Sequence, residues 1–368
     1  MTRWAPGCLL ILLLAAACAS GAGPSGSAPP AAAPASGAPA SQPAASGAAA
    51  SAPAAPPAVV VPPTKVRASF SVISGGNTAY WVAADAGLWQ QHGLDVDFVY
   101  ISGTPASMAA LISGETQFAV AAGDAVLRVQ AQNPDVVSLV TTTTGNTHRL
   151  MAVPEIQRVE DLKGRRIGVA AIGDGAYAIT SKALLKLGYN PATDFVWLGT
   201  GGGGTAAMIA GLTAGAFDAS PLTPPNDIVA ARQGAHVVLD TADMNLPAGG
   251  LNVNTMRRTL EQQRPVVEAF VAGVIDAVRL LKEDPALGKA VLARRTEMND
   301  TEAIDWAYEM YSGQRRTIRL YLDHAEVRAL LDDLVVEYPE LQQVPLERVL
   351  DNSVLQDLEA KGYFTRPQ

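Results

Sequence analysis

Hydrophobic and polar positions follow two different periods along the chain after Thr64. Short apolar runs rich in β-branched residues, such as 69–73, 95–101 and 117–122, have the pattern of buried strands. Between such runs lie segments whose apolar residues recur every three or four positions, such as 179–187, which Gly188 can end. Strands that alternate with short helices predict an α/β fold with largely parallel sheets.

This alternation continues to about residue 240 and then stops. The further predicted strands are 135–143, 165–171, 194–198, 217–220 and 235–240. The further predicted helices are 78–88, 108–112, 124–132 and 205–213. From Pro265 onward apolar residues recur at helical spacing, as Phe270 and Val274 do, so the C-terminal third is predicted to form packing helices.

The N-terminal segment has a different composition from the rest of the chain. Arg3 precedes an apolar stretch at 8–17, which is shorter than the roughly 20 residues of a membrane span, so we interpret residues 1–17 as an export signal. Residues 14–18 resemble a bacterial lipobox, in which Cys18 is lipidated and becomes the mature N-terminus; a signal cleaved without lipidation is the alternative. The rest of 18–63 is mostly Ala, Pro, Ser and Gly, which predicts a disordered tether.

Composition excludes several kinds of chemistry. The chain has 368 residues, a formal net charge of −8 and no long block of Lys and Arg, so nucleic-acid binding is not expected. Both cysteines lie within the first eighteen residues, which leaves no thiol for a disulfide, a metal site or a nucleophile after Cys18. No two of the four histidines have the spacing of metal ligands on one helix face. We therefore expect no metal, no cofactor and no catalytic residue.

One glycine-rich pattern, G-x-G-x-x-G at 199–204, could indicate a dinucleotide site. Such a site needs an acidic residue at the end of the next strand, whereas Asp218 lies near the start of a predicted strand. We interpret the glycines instead as a loop that approaches a ligand or a second lobe closely.

Four other loops join the end of a predicted strand to the start of a helix. They span 74–78, 102–104, 122–124 and 173–177, and consist mostly of small or polar residues. Small residues expose backbone N–H groups, and a helix N-terminus adds partial positive charge. Ligands of open α/β sheets bind at crevices of this kind, so the recurrence of these loops favours a small-molecule cleft.

Five segments in order along the chain resemble the periplasmic solute-binding proteins of ABC importers, in the branch that serves nitrate, sulfonates, taurine and thiamine-pyrimidine precursors. They are WVAADAGLWQQHGLDVDFVY (81–100), LISGETQFAVAA (111–122), EDLKGRRIGVAA (160–171), LLKLGYNP (184–191) and GLTAGAFDAS (211–220).

The resemblance implies a type II periplasmic-binding-protein fold, with two α/β lobes joined by two crossovers and with C-terminal packing helices. The first lobe would comprise 64–143 and 245–368, and the second 146–241. Carried over position by position, the ligand-binding residues would be Ser74, Gly75, Gly76, Asn77, Thr78, Tyr80, Gly103, Thr104, Gly123, Asp124, Asp174, Gly175, Ala176, Tyr177, Pro221 and Thr223.

The chemistry of the ligand stays open at this point. None of the implied loops contains Lys or Arg, so an oxyanion would have to be held by backbone N–H groups, hydroxyls and helix dipoles. Asp124 and Asp174 could instead favour an amine or amidine, with Tyr80 or Tyr177 stacking on a ring. The alternative is that both carboxylates cap helices and both aromatics pack in the core.

Three functions are compatible with these features. The first is a monomeric, membrane-anchored extracytoplasmic lipoprotein that delivers a small organic solute (a sulfonate, amine, pyrimidine or aromatic acid) to an ABC permease. The second is a ligand-sensing lipoprotein that signals to a membrane partner. The third is an enzyme related to thiamine-pyrimidine synthesis; the branch of the fold with that activity carries a cysteine cluster, which this chain lacks.

Overall fold

Two five-stranded sheets organise the computed structural model, which describes residues 59–143, 146–244, 246–247, 249–312 and 320–364. The strands of the described chain are β1 (Thr64–Phe70), β2 (Leu94–Tyr100), β3 (Phe118–Ala122), β4 (Val136–Thr141), β5 (Arg149–Ala152), β6 (Arg166–Val169), β7 (Val196–Gly199), β8 (Ala219–Leu222), β9 (His236–Asp240) and β10 (Leu251–Met256). We call the residues around the sheet that contains β1 the first lobe, and those around the sheet that contains β6 the second lobe.

Helices cover the faces of both sheets. Those of the described chain are α1 (Thr78–Asp85), α2 (Leu88–Gln91), α3 (Thr104–Ser113), α4 (Gly123–Gln130), α5 (Gly175–Lys186), α6 (Pro191–Asp194), α7 (Gly204–Thr213), α8 (Asn226–Arg232), α9 (Arg257–Gln262), α10 (Arg264–Glu283), α11 (Pro285–Thr296), α12 (Thr301–Tyr311), α13 (His324–Glu337), α14 (Leu346–Val349) and α15 (Ser353–Ala360). Short 3-10 turns occur at 75–77, 159–162, 242–244 and 339–343.

The strand order shows how the chain passes between the lobes. The first sheet has the order β2-β1-β3-β10-β4 and the second β7-β6-β8-β5-β9. The chain leaves the first lobe after β4 and enters the second with β5; it returns after β9 with β10. The two linking segments, 142–148 and 241–250, therefore join two α/β lobes, which confirms the predicted fold class.

Each sheet contains one strand that the sequence pattern did not predict. β10 is antiparallel to β3 and β4, and β5 is antiparallel to β8 and β9. The strands were predicted from runs of apolar residues rich in β-branched side chains, and neither segment has such a run: β5 is RLMA, and in β10 the buried Asn252 and Asn254 alternate with Leu251 and Val253. The expectation of largely parallel sheets therefore holds only for the strands other than β5 and β10.

The core of the first lobe is built around α10. The ring of Phe270 stacks on Phe118, with 4.0 Å between centroids, and on Trp89, with 4.8 Å. Trp89 Nε1 donates to the Phe270 carbonyl at 3.0 Å, and a Cβ at Gly273 would lie 2.4 Å from the indole ring. The predicted C-terminal packing helices thus complete the first lobe, since α12 and α15 contribute to the same core.

The described chain begins against the first lobe at residue 59. Val61 is buried and its N–H donates to the His92 carbonyl at 3.0 Å. The predicted export signal (1–17), the predicted lipidation site Cys18 and the part of the predicted tether (18–63) up to residue 58 lie outside the described residues. Among the described helices, none has the length and apolar character needed to cross a membrane.

Candidate functional site

A cavity of about 140 Å³ lies between the two lobes. Its walls combine strand-to-helix loops of both lobes with residues from both linking segments. The first linking segment contributes Thr143, Asn146, Thr147 and His148 to the wall, and the second contributes Pro247, Gly249 and Gly250. Because the linking segments form part of the wall, a rotation of the lobes about them would open or close the cavity.

Half of the ligand-binding residues expected from the sequence line this cavity. These are Ser74, Gly76, Thr104, Asp124, Asp174, Gly175, Ala176 and Thr223. The cavity lining defined by the described residues does not include Gly75, Asn77, Thr78, Tyr80, Gly103, Gly123, Tyr177 or Pro221.

Several residues of the second group have structural contacts instead. The Tyr80 ring is buried and its hydroxyl donates to the Leu251 carbonyl at 3.3 Å. Tyr177 packs edge-on against Trp197, with 4.7 Å between centroids. A Cβ at Gly123 would come within 2.3 Å of the Gly249 carbonyl oxygen, so this glycine allows α4 to contact the second linking segment.

Asp174 is the N-cap of α5 at the cavity wall. Its Oδ1 accepts from the Tyr177 N–H at 2.7 Å and its Oδ2 from the Ala171 N–H at 3.0 Å. Burial raises the pKa of this carboxyl to about 6, and the nearby charge of Asp124 acts in the same direction, while the backbone N–H donors oppose the rise. Among the described residues, no cationic side chain is hydrogen-bonded to this carboxylate.

Asp124 connects the cavity with the contact between the lobes. It lies in the first turn of α4, and Arg128 Nη2 is 2.8 Å from its Oδ2 one turn later. The same guanidinium nitrogen donates to the Gly173 carbonyl of the second lobe at 2.5 Å. The Asp124–Arg128 pair therefore reaches from the cavity wall of the first lobe to the loop before α5.

Two further titratable groups in the wall were not expected from the sequence. His148 lines the cavity from the first linking segment, and burial lowers the pKa of its imidazole to about 4 even though Asp124 lies near enough to oppose this. Lys182 lines it from α5; burial lowers the pKa of this ammonium, and its Nζ lies 3.5 Å from Asp333 Oδ2 of α13. The imidazole is therefore neutral at neutral pH.

A signal for Lys182 was present in the sequence. Gly175, Ile179 and Lys182 are spaced four and three positions apart, so a helix that begins at Gly175 presents all three on one side. The predicted helix began only at 179, which concealed this face. No comparable signal existed for the residues of the linking segments, because loops have no periodicity that shows which side chains turn inward.

Comparison with known proteins agrees with this architecture. The family described as "NMT1/THI5 like" matches residues 76–287. A protein of Brucella abortus, provisionally named as a binding protein, is 28% identical over 104 residues, which are 28% of this chain and 32% of that protein. The match thus spans about a third of that relative's length.

Two solved structures share the fold at low sequence identity. The alkanesulfonate-binding protein SsuA of Xanthomonas axonopodis, bound to MOPS, superposes with a TM-score of 0.65 at 19% identity, over 80% of this chain and 99% of that chain. The periplasmic nitrate-binding protein NrtA of Synechocystis superposes with a TM-score of 0.64 at 13% identity, over 81% and 89%. At these identities the superpositions establish the fold.

Proposed function

The chain belongs to the NMT1/THI5-like family, and from this premise we propose that it is an extracytoplasmic solute-binding protein of an ABC importer. It captures a small organic molecule between its lobes and presents the closed form to a membrane permease. The observation that carries this proposal is the cavity that both lobes and both linking segments enclose.

The chemistry of the wall supports the binding of a small molecule. Hydroxyls of Ser74, Thr104 and Thr223 and the backbone at the start of α5 supply hydrogen bonds, while Ile179 and Leu330 supply apolar contact. A few polar groups in an otherwise apolar cleft are typical of sites that bind a small molecule.

The lipobox-like sequence supports attachment to a membrane. Lipidation at Cys18 would anchor the chain, and the Ala/Pro/Ser/Gly segment would let the lobes move near a permease. We propose that the mature protein is a monomeric lipoprotein, held outside the cytoplasm by its lipid alone.

A screen of thermal stability tests the binding function. The purified protein, from residue 59 onward or longer, is heated with single sulfonates, amines, pyrimidines and aromatic acids. We expect at least one class to raise Tm, since a ligand at a hundred times its Kd stabilises the folded state by about 2.7 kcal/mol.

A matched pair of variants locates the binding. Ala176→Phe places a ring in the cavity wall in the first turn of α5, whereas Ala192→Phe places the same ring on the exposed surface of α6. The stabilising solute should lose its effect with the first variant and keep it with the second. A screen in which no solute raises Tm, or an effect that survives Ala176→Phe, contradicts the proposed function.

A further inference from the structure

We propose that the solute of this cavity is a small organic cation, a protonated amine or amidine, whose nitrogen binds among Asp124, Asp174 and His148. The inference rests on the proposed function and adds the charge of the ligand to it. It differs from what the names of the sulfonate- and nitrate-binding structures would suggest.

The first reason is the balance of charge around the cavity. Among the described residues, the cations at the wall already have acidic partners, because Lys182 lies beside Asp333 and Arg128 beside Asp124. Asp174 has only two backbone N–H donors. The unbalanced charge of the site is therefore negative, and an incoming anion would meet no unpaired cationic side chain.

The second reason is the set of hydrogen-bond acceptors that lack donors. Asp124 Oδ2 is buried, and its contact at 2.8 Å is the ion pair with Arg128 Nη2, which lacks hydrogen-bond alignment among the described residues. A carboxylate oxygen has two lone pairs, so Oδ2 can accept a further hydrogen bond beside this ion pair. His148 Nδ1 is also buried and has no hydrogen-bond partner among the described residues. Nδ1 is an acceptor when the neutral imidazole carries its hydrogen on Nε2, which is the tautomer that the proposal requires.

These acceptors match one chemical class of ligand. An ammonium offers three N–H donors and an amidinium four, whereas a sulfonate or carboxylate offers none, so it would donate to neither acceptor and would leave His148 Nδ1 unsatisfied. An unsatisfied buried polar group costs about 1–3 kcal/mol, so the difference is large enough to decide selectivity.

The acceptors lie close to one another around the start of α5. A Cβ at Gly175, the residue after Asp174, would lie 3.9 Å from Asp124 Oδ1. The charge of Asp124 acts on the titration of both Asp174 and His148, as expected for groups that face a common space. Ile179 and Leu251 then form the apolar part of the wall that would contact the organic substituent.

Probes that differ in charge but share a carbon skeleton test the proposal. Benzylamine, benzamidine, ethylamine and acetamidine are compared with benzenesulfonate, benzoate, ethanesulfonate and propionate by thermal shift and calorimetry. We expect amines or amidines to bind and the anions not to bind. Asp174→Asn should weaken the binding roughly tenfold or more, since it removes the unbalanced charge.

The control variant replaces an aspartate that also caps a helix but lies outside the cavity. Asp284 is the N-cap of α11 and accepts from the Leu287 N–H at 2.9 Å, outside the cavity lining. Asp284→Asn should leave the Kd of the amine unchanged. Because Asn also caps helices well, both variants are expected to fold.

The number of protons released on binding distinguishes a ligand-binding aspartate from a purely structural one, because replacement of a structural aspartate would not change it. The charges of Asp124 and Arg128 of α4 act on Asp174. His148 of the first linking segment and Lys182 of α5, which has Asp333 beside it, line the same cavity. A bound cation lowers the pKa of Asp174, so calorimetry near pH 6 in two buffers of different ionisation enthalpy should show release of roughly half a proton. Asp174→Asn should abolish the release.

The possible outcomes separate this proposal from the proposed function. If a sulfonate or carboxylate binds and no amine or amidine does, the proposal is overturned and the solute-binding function stands. If an amine binds with the same Kd in Asp174→Asn as in the unmodified protein, the cation lies elsewhere and the proposal is overturned. If neither these probes nor any member of the broader screen binds, both proposals are overturned.

Discussion

At the scale of single residues, the cavity wall contains two groups whose titrations are shifted in opposite directions. Burial lowers the pKa of His148 from 6.5 to about 4 and raises that of Asp174 from 3.8 to about 6. The stabilising contribution of the neutral imidazole is complete above pH 6.5 and is lost as the pH falls toward 4. The contribution of Asp174 has the other sign, because stability is gained as the pH falls through 6 toward 3.8. In the unmodified protein the two effects largely cancel.

Replacing either His148 or Asp174 leaves the pH dependence of stability that the other group causes. Between about pH 7.5 and about pH 4.5, we expect the free energy of unfolding of His148→Gln to fall less than that of the unmodified protein. The difference should be roughly 2–3 kcal/mol, because the variant has no buried imidazole that must be protonated. Urea unfolding at the two pH values measures this. Asp174→Asn should show the opposite difference, and parallel pH profiles for all three proteins would contradict the assignment.

At the scale of elements, β10 is the strand that completes the first sheet and that carries polar residues into its interior. Asn254 Nδ2 donates to the Ala119 carbonyl at 3.1 Å and to the Asn252 carbonyl at 3.0 Å. Its Oδ1 accepts from Ser138 Oγ at 2.6 Å. One buried amide therefore connects β10 to the strands on both sides, β3 and β4, and specifies the register of the returning chain.

Replacement of this amide should destabilise the first lobe. We expect Asn254→Ala to lower the free energy of unfolding by about 2–4 kcal/mol, because it leaves buried backbone and hydroxyl groups unsatisfied and opens a small space. Chemical denaturation of Asn254→Ala, Ser138→Ala and the double variant gives the coupling between the two side chains. Additive effects of the two single changes would show that the 2.6 Å hydrogen bond contributes nothing to stability.

At the scale of the whole molecule, the lobes contact each other around the cavity. Arg128 of the first lobe donates to the Gly173 carbonyl of the second at 2.5 Å, and Asn226 Nδ2 of the second donates to the Ile73 carbonyl of the first at 3.2 Å. At the rim, Arg232 Nη2 lies 2.8 Å from Glu302 Oε2. In the described arrangement the two lobes therefore contact each other across the cavity, and we expect these contacts to favour it over a more open form.

Loss of the Arg128 contact should favour an open form. A charge-assisted hydrogen bond contributes about 1.5–3 kcal/mol, so we expect Arg128→Met to shift the ratio of closed to open protein roughly tenfold or more. Small-angle scattering of the protein without solute should show a larger radius of gyration.

A matched arginine controls for the loss of charge. Arg67 pairs with Asp97 at 3.2 Å and with Glu115 at 3.0 Å, and all three belong to the first lobe. Arg67→Met should leave the radius of gyration unchanged. Equal effects of the two substitutions would show that Arg128 has no special role in closure.

Local pattern was enough to predict most of the fold. The alternation of strands and helices, the helix that begins at Thr78 and Gly188 after the end of α5 depend on residues close in the chain. The ordered segments between 81 and 220 predicted the family. Asp174 was expected at a helix start because a carboxylate before a helix can satisfy free N–H groups, and it is the N-cap of α5. β5 and β10 were missed because neither is a run of β-branched apolar residues, and their pairing with strands distant in the chain leaves no local signal.

The sequence by itself thus determined the succession of elements, the family and the loops that could meet a ligand. Only the tertiary structure decided which side chains of those loops turn into the cavity, as Asp124 does, and which turn into the core, as Tyr80 does. It also decided that Lys182 and His148 belong to the wall. The physical reason is that secondary structure follows from interactions within a few residues, whereas the walls and the charge balance of a cleft depend on groups that folding brings together from distant parts of the chain.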